Sequence, residues 1–363
     1  MTYLKSFLLL IFNIIIFFIL ILKYFRILSS NRSSNYKIFF GGARMGNIGG
    51  TLTKIKKLKS FYGESLFNFN IVYLMSNTPY LFKINLYIIN KLKIPIIHNQ
   101  NGLFYPSWYK GDYRLKNKQI YKQYICADYI FFQSNFCKKI SLKYLNQPKC
   151  NNEILYNAVD TNFYKPKKIK KNFSNYSFLI TGKFNFNLRN SLIDSIEGIK
   201  KCNDEGYSFN LNIYGYLDNR LKNLLEKKII DLKLKDQIFI KGTYIQENAN
   251  LIYNNNDAFI FLIYKAPCSN SVLEALSCGL PIVYSDSGGT KELVGDAGVG
   301  LKVDDSYKEY ITPKIDDIKN GMILIYKDHE NKAKNARKRA EENFSIEKWF
   351  YTHSKIMNKL LND

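Results

Sequence analysis

The segment APCSNSVLEALSCGLPIVYSDSGGTKELV, residues 266–294, constrains the fold more tightly than any other part of the chain. It has turn chemistry at every joint. Ser269, Asn270 and Ser271 supply N-cap oxygens ahead of a short helix over 272–278. Gly279 ends that helix in the left-handed conformation, and Pro281 prevents its continuation. Residues 282–284 read as a buried strand. The following Ser285-Asp286-Ser287-Gly288-Gly289 is a loop whose glycines let the backbone approach a ligand. A loop that delivers N–H groups to a helix N-terminus, twice in one segment, suits an anion, and a diphosphate best.

The rest of the chain extends this pattern. Strands are predicted at 37–40, 71–74, 94–97, 127–133 and 154–156, with helices between them. Residues 164–175, YKPKKIKKNFSN, are charged and proline-bearing and read as an interdomain linker. A second series follows, with strands at 177–182, 209–215, 237–242 and 258–263, and helices at 190–201 and 220–232. Residues 333–361 form a long helical tract. Strands alternating with helices give parallel sheets covered on both faces. Two such units of ordinary domain size fit in 363 residues, with ligands at the carboxyl ends of the strands.

Residues 7–22 are apolar except for Asn13. As a helix they span ~24 Å, and Lys23 and residues 24–28 extend the reach towards the ~30 Å hydrocarbon core. No small-x-small cleavage site follows, so the segment reads as a retained transmembrane anchor. Lys23, Arg26, Arg32 and Lys37 after it outnumber Lys5 before it, which places the remainder in the cytoplasm. Residues 29–35, SSNRSSN, are a polar linker.

The formal charge is +23. Two readings stand: an anionic partner, or a Lys- and Asn-rich compositional drift, since the lysines are scattered and form no single stripe. Nucleic-acid binding rests on charge alone and ranks last. The six cysteines form no C-x-x-C pair and the three histidines are far apart. This excludes a disulfide framework and a metal-ligand spacing.

Several segments together resemble the retaining glycosyltransferases of family 4, whose fold is GT-B. The opening segment resembles that family's donor-binding block. ILYNAVDTNFYKP (154–166) resembles its interdomain junction, and ITGKFNFNLRNSL (180–192) its strand-loop-helix bearing two basic residues. ADYIFFQSNF (127–136) and ARKRAEENFSIEKWF (336–350) resemble the last strand-helix step of the N-terminal domain and the closing helix. The resemblance implies an α/β chain of two Rossmann-like domains preceded by the transmembrane helix. The boundaries are 1–28 anchor, 29–35 linker, 36–165 acceptor-side domain, 166–335 nucleotide-sugar-binding domain and 336–363 crossover helix.

The resemblance also implies roles for residues. Lys183 and Arg189 would clamp the leaving diphosphate; solvated loop cations are the plain alternative. Glu274 would hold the ribose hydroxyls as the second glutamate of an E-x7-E motif. It also fits a capping box with Ser271, and both readings stand. The first glutamate of that motif falls on Ala266, a departure that puts donor identity and activity in question. Backbone amides of Cys268, Ser269, Asn270 and Ser271 are further donor contacts. Gly49 and Gly50, in the glycine-rich loop GGARMGNIGGT, are placed for close approach to the donor, or for a structural turn. His98 resembles the family's histidine near the transferred sugar, with a satisfied loop histidine as the alternative; Asn99, Gln100 and Asn101 are further sugar or acceptor contacts.

The implied function is a membrane-anchored glycosyltransferase that needs no metal or other cofactor. It would move a sugar, with retention, from a nucleotide-sugar donor to a cell-surface glycan or lipid-linked acceptor. The alternative is a catalytically weak GT-B-like scaffold subunit of a polysaccharide assembly, motivated by Ala266. An epimerase lacks a convincing pair of acid/base carboxylates.

Overall fold

The computed structural model describes residues 2–27, 36–46, 49–77, 80–167 and 175–362. The linker read at 29–35 and most of the one read at 164–175 lie outside them. The chain divides into two compact units. Unit 1 comprises Met1–Tyr105, Tyr109–Tyr156 and Phe350–Asp363; unit 2 comprises Pro106–Trp108 and Asn157–Trp349.

Unit 1 begins with helix α1 (Thr2–Ile27) and continues as β1 (Ile38–Phe39), α2 (Gly50–Tyr62), β2 (Ile71–Met75), α3 (Lys83–Lys91), β3 (Ile96–Gln100), α4 (Tyr113–Tyr124), β4 (Tyr129–Phe132), α5 (Asn135–Leu145) and β5 (Asn151–Ile154). The five strands are parallel and pair in sequence order. β2, β3 and β4 are buried along their whole length, as the central strands of a parallel sheet must be. Asp112 and Ser134 start α4 and α5 by accepting Leu115 N–H and Cys137 N–H, the capping that their side-chain oxygens favour.

Unit 2 runs β6 (Tyr176–Phe184), α6 (Arg189–Asp204), β7 (Phe209–Leu217), α7 (Asn219–Asp231), β8 (Ile238–Gly242), α8 (Ala249–Asn254), β9 (Ala258–Phe261), α9 (Asn270–Ser277), β10 (Ile282–Ser285), α10 (Thr290–Val294), β11 (Gly298–Leu301), α11 (Ile315–Lys327) and α12 (His329–Asn343). Its six parallel strands are ordered β11-β10-β9-β6-β7-β8. β7 and β8 lie on one side of β6, and the chain then crosses to β9 on the other. The strand order reverses at β6, and the carboxyl end of a sheet at such a point is where ligands of open α/β folds bind. Phe178, Phe209, Leu211, Ile213, Ile196 and Met322 anchor the core that carries this edge. Each such side chain contributes about 1.5–3 kcal/mol on burial.

The closing tract is not one helix. Ser345 forms a β-bridge with Val159, whose N–H donates to Phe344 O at 2.9 Å and whose carbonyl accepts Ile346 N–H at 3.1 Å. That detour ends α12, and α13 (Ile346–Asn362) starts afresh. From Phe350 on, α13 belongs to unit 1. There Phe350 stacks on Phe61 at 3.8 Å between centroids, and His353 Nε2 meets Tyr73 Oη at 2.9 Å.

Candidate functional site

The carboxyl end of β6 gathers the cations. Lys183 is exposed, with its ammonium 5.5 Å from the centre of the Tyr216 ring on the paired strand. Arg189 opens α6. Its guanidinium lies 4.8 Å from the Phe186 ring centre and donates to Phe186 O at 3.3 Å. A third cation, Arg220 near the start of α7, lies 3.7 Å from the same ring centre. Phe186 thus holds two guanidinium groups, which restricts both without neutralising either. The sequence reading missed Arg220. Its signal was position, two residues after Asp218, which caps α7 by accepting Leu221 N–H at 2.9 Å.

The pairing of β6 with β7 leaves no room for a side chain one residue before Tyr216. Gly215 has φ of 120°, and a Cβ on it would lie 1.9 Å from Gly182 O. Only glycine fits there.

Glu274 lies on α9. That helix is capped at Ser269 without a side-chain cap bond, so Ser271 is inside it and Glu274 is two residues beyond the capping-box position. The capping-box reading does not hold. The Ser271 hydroxyl bonds to that of Ser269 at 2.9 Å. The Glu274 carboxylate instead accepts the Tyr253 hydroxyl at 2.9 Å. Tyr253 in turn meets Thr181 Oγ1 at 3.0 Å, two residues before Lys183. This Thr181–Tyr253–Glu274 chain ties the end of β6 to α9. Burial pushes the Tyr244 hydroxyl up to about 12, helped by the Glu274 charge, and raises Tyr253 and Tyr164 further for the same reasons. The carboxylate therefore sits among protonated phenols.

The loop 266–271 is held from behind. Asn157 N–H donates to Cys268 Sγ at 3.2 Å, and its amide donates to Cys268 O and to Asn270 Oδ1, both at 2.9 Å. Cys268 is a buried hydrogen-bonded thiol that fixes the loop. Asn157 belongs to the stretch read only as a junction, so its role in setting this loop had no sequence signal. Ala266 O accepts Gly289 N–H at 2.9 Å. Beside it, Lys265 is buried, ion-paired with Asp305, with its ammonium 3.5 Å from the Tyr307 ring centre. Asp316 pairs with Lys201 at 2.6 Å. The second helix start in the opening segment is slight: α10 has five residues. Among the described residues no three His, Cys, Asp or Glu side chains cluster as metal ligands.

In unit 1 the candidates interlock. His98 is fully buried on β3, its Nε2 2.9 Å from Gln100 Oε1 and its ring edge-on to Tyr124. Burial pushes its pKa down to about 4. Its Nδ1 has no hydrogen-bond partner among the described residues. On the opposite face of the strand, buried Lys54 donates to Asn99 Oδ1 at 2.9 Å and Asn101 Oδ1 at 3.0 Å. The Asn99 amide donates to Tyr73 Oη at 2.9 Å, and the Asn101 amide to Asn77 Oδ1 at 2.8 Å. Gly49, with φ of 102°, caps α2, and a Cβ on Gly49 or Gly50 would meet nothing within 4 Å. The backbone conformation at Gly49, rather than crowding, calls for glycine.

This architecture is that of the GT-B class: two parallel α/β units. Residues 185–342 match the family model described as glycosyl transferases group 1. Two uncharacterized glycosyltransferases of Methanocaldococcus jannaschii are similar to this chain. One is 30% identical over 140 residues, 38% of this chain and 34% of that protein; the other is 28% identical over 114 residues, 31% and 27%. The chain thus spans about a third of the length of these relatives. Among solved structures, Anabaena HepE in complex with UDP aligns with a TM-score of 0.63 at 15% identity, covering 80% of this chain and 79% of that one. A glycosyltransferase from Rickettsia africae aligns at 0.61 and 14% identity, covering 88% and 84%. Sucrose-phosphate synthase from Thermosynechococcus elongatus aligns at 0.60 and 14%, covering 85% and 76%.

Proposed function

We propose that the protein transfers a sugar from a nucleoside-diphosphate sugar to a glycan or lipid-linked acceptor at a membrane, with retention and without a protein-held metal. The observation that carries this reading is the carboxyl end of β6: Lys183, Arg189 and Arg220 gather there, and Thr181 links it through Tyr253 to Glu274. When the bond from the anomeric carbon to the diphosphate breaks, negative charge builds on the leaving oxygen. Fixed cations and the N–H groups at the start of α9 stabilise that charge with little reorganisation. Glu274 accepts from the ribose hydroxyls, and the backbone of Cys268, Ser269, Asn270 and Ser271 lies against diphosphate and sugar. The acceptor oxygen attacks from the face the diphosphate leaves.

UDP is the favoured leaving group, because a structural relative of this fold is described in complex with it. On the acceptor side, His98 is neutral at physiological pH and positions Gln100 through their hydrogen bond. Gly49 and Gly50 leave open space for close approach at the start of α2. The excess of Lys and Arg after α1 favours a cytoplasmic location for the two units.

Ala266 favours a second reading, a donor-binding scaffold subunit with little turnover of its own. Thermal denaturation of the full chain with UDP-, GDP- and ADP-sugars tests the donor site, because a ligand that binds the folded state raises the melting temperature. One class of donor raises it, and the Lys183→Ala/Arg189→Ala variant loses the response. No response to any donor overturns the reading. A response without sugar release or transfer leaves the scaffold reading in its place.

A further inference from the structure

Helix α1 is joined to unit 1 along one face. Ile16 and Leu20 are buried in a cluster with Phe39, Phe69, Val72, Leu74 and Leu86. The polar residue in the middle of the helix is a latch. Asn13, 1% exposed, donates through its amide to Tyr80 O at 3.2 Å and accepts Phe82 N–H at 2.6 Å. Fully buried Asn85 donates to Asn13 O at 2.9 Å and to Asn13 Oδ1 at 3.0 Å. Lys23 donates to Phe69 O. The Phe12 ring covers the turn after β1, where a Cβ on Gly42 would lie 2.5 Å from it.

The opposite face is a strip of exposed apolar side chains at three- and four-residue spacing: Leu4, Phe7, Ile11, Ile14, Phe18, Leu22 and Phe25. It is about 31 Å long. No charged residue occurs between Lys5 and Lys23. Helix α3, on which α1 packs, adds exposed Ile84 and Tyr87 and its N-cap residue Phe82, with Lys91 5.5 Å from the Tyr87 ring centre.

We propose that α1 lies in the plane of an anionic membrane surface, latched to unit 1 by Asn13 and Asn85, with its exposed strip in the lipid. A spanning helix must be clothed in lipid, or in protein that itself tolerates lipid, through the full hydrocarbon depth. One side of α1 is instead occupied by unit 1, whose adjoining α3 carries exposed Lys83 and Lys91. A crossing would take those ammonium groups into hydrocarbon or tear the Asn13–Asn85 latch. An in-plane helix keeps the latch and buries the strip.

Charge selects the bilayer as the occupant. Unit 1 holds 24 lysines and arginines against five acidic residues, so +19 of the chain's +23 lies there. Helices α2 to α5 contain no Asp or Glu. The cations are divided between the units, 24 and 29; unit 1 is strongly basic because only five of the 30 acidic residues lie in it. Anionic headgroups attract such a surface through each nearby cation. Self-association of α1 is less well served, because a water-soluble helical seam is flanked by charged positions and this one is flanked by Leu8, Leu10 and Ile15. Nothing here depends on donor chemistry in unit 2.

The test adds the purified full chain to preformed vesicles containing about 30% phosphatidylglycerol, and to phosphatidylcholine vesicles. Binding is expected to fall roughly tenfold without the anionic lipid, and to fall similarly in high salt. Ile11→Glu/Phe18→Glu abolishes binding while its melting temperature and any donor response stay unchanged. Equal binding to both vesicle types overturns the proposal. An epitope tag placed before Met1 is digested by protease added on the same side as unit 2; a tag protected by the bilayer establishes a span and overturns the in-plane helix. If the double glutamate variant converts a dimer to a monomer and leaves vesicle binding intact, the strip is a self-association seam and the proposal falls.

Discussion

Units 1 and 2 are built on the same kind of parallel sheet, yet their strand ends hold opposite contents. At the ends of β2 and β3, unit 1 places Lys54, Asn99, Asn101 and Tyr73 in one buried hydrogen-bonded cluster, with His98 and Gln100 paired on the other face of β3. Unit 2 places Lys183 in the open and two guanidinium groups on one phenyl ring. The net charges run the other way: +19 in unit 1, and 29 cationic against 25 acidic residues, or +4, in unit 2. Net charge therefore does not locate the anion site. Charge spread over helix surfaces acts at long range on a large anionic surface, whereas a diphosphate needs a few cations fixed at one strand end.

The contrast can be broken most severely at Lys183 and Arg189. Replacing both with alanine is expected to lower turnover about 10²–10³-fold, leaving the unliganded melting temperature unchanged. Steady-state kinetics and thermal denaturation check this, and surviving turnover would mean that Lys183 and Arg189 do not form the anion site of unit 2. A stability probe comes next. Gly215→Ala places a methyl group against Gly182 O and forces φ of 120° on a residue with a side chain. A loss of about 2–4 kcal/mol is expected in urea denaturation.

A third prediction concerns the buried side of the comparison. His98 has a folded-state pKa of about 4 against an ordinary 6.5. The unfolded chain then binds more protons than the folded one between those values. The stability associated with neutral His98 is complete above pH 6.5 and is lost as pH falls towards 4, by up to about 3 kcal/mol. His98→Gln should flatten this acid limb in urea midpoints measured against pH, and the rate should show no inflection from His98 between pH 5 and 8. The smallest effect belongs to Arg220→Ala, which removes one of the two guanidinium groups on Phe186. KM for the donor should rise about three- to tenfold with kcat unchanged.

The fold was legible because it rests on local signals. Asp112, Ser134 and Asp218 cap helices where such residues should, and β2, β3 and β4 carry no Asp, Glu, Lys or Arg because both faces are covered. The positions of Lys183 near the end of a strand and Arg189 at the start of a helix were legible; the role proposed for them came from the resemblance. Glu274 was not separable from a capping residue, since that choice turns on which serine starts α9 and on Tyr253, far off in the sequence. Asn157 was invisible, and Arg220 showed only its place at a helix start, because each acts through a group from another element, Cys268 and Phe186.

By itself, the sequence determined the alternation of strands and helices, the glycine and cap positions, and the apolar character of residues 7–22, all consequences of backbone propensity and side-chain period. The tertiary structure alone decided that β6 is the point where strand order reverses, that Tyr253 bridges Thr181 to Glu274, and that Asn13 bonds to Phe82 and Asn85. Those outcomes depend on hydrogen bonds between residues tens of positions apart. No local pattern encodes which buried polar group will meet which partner.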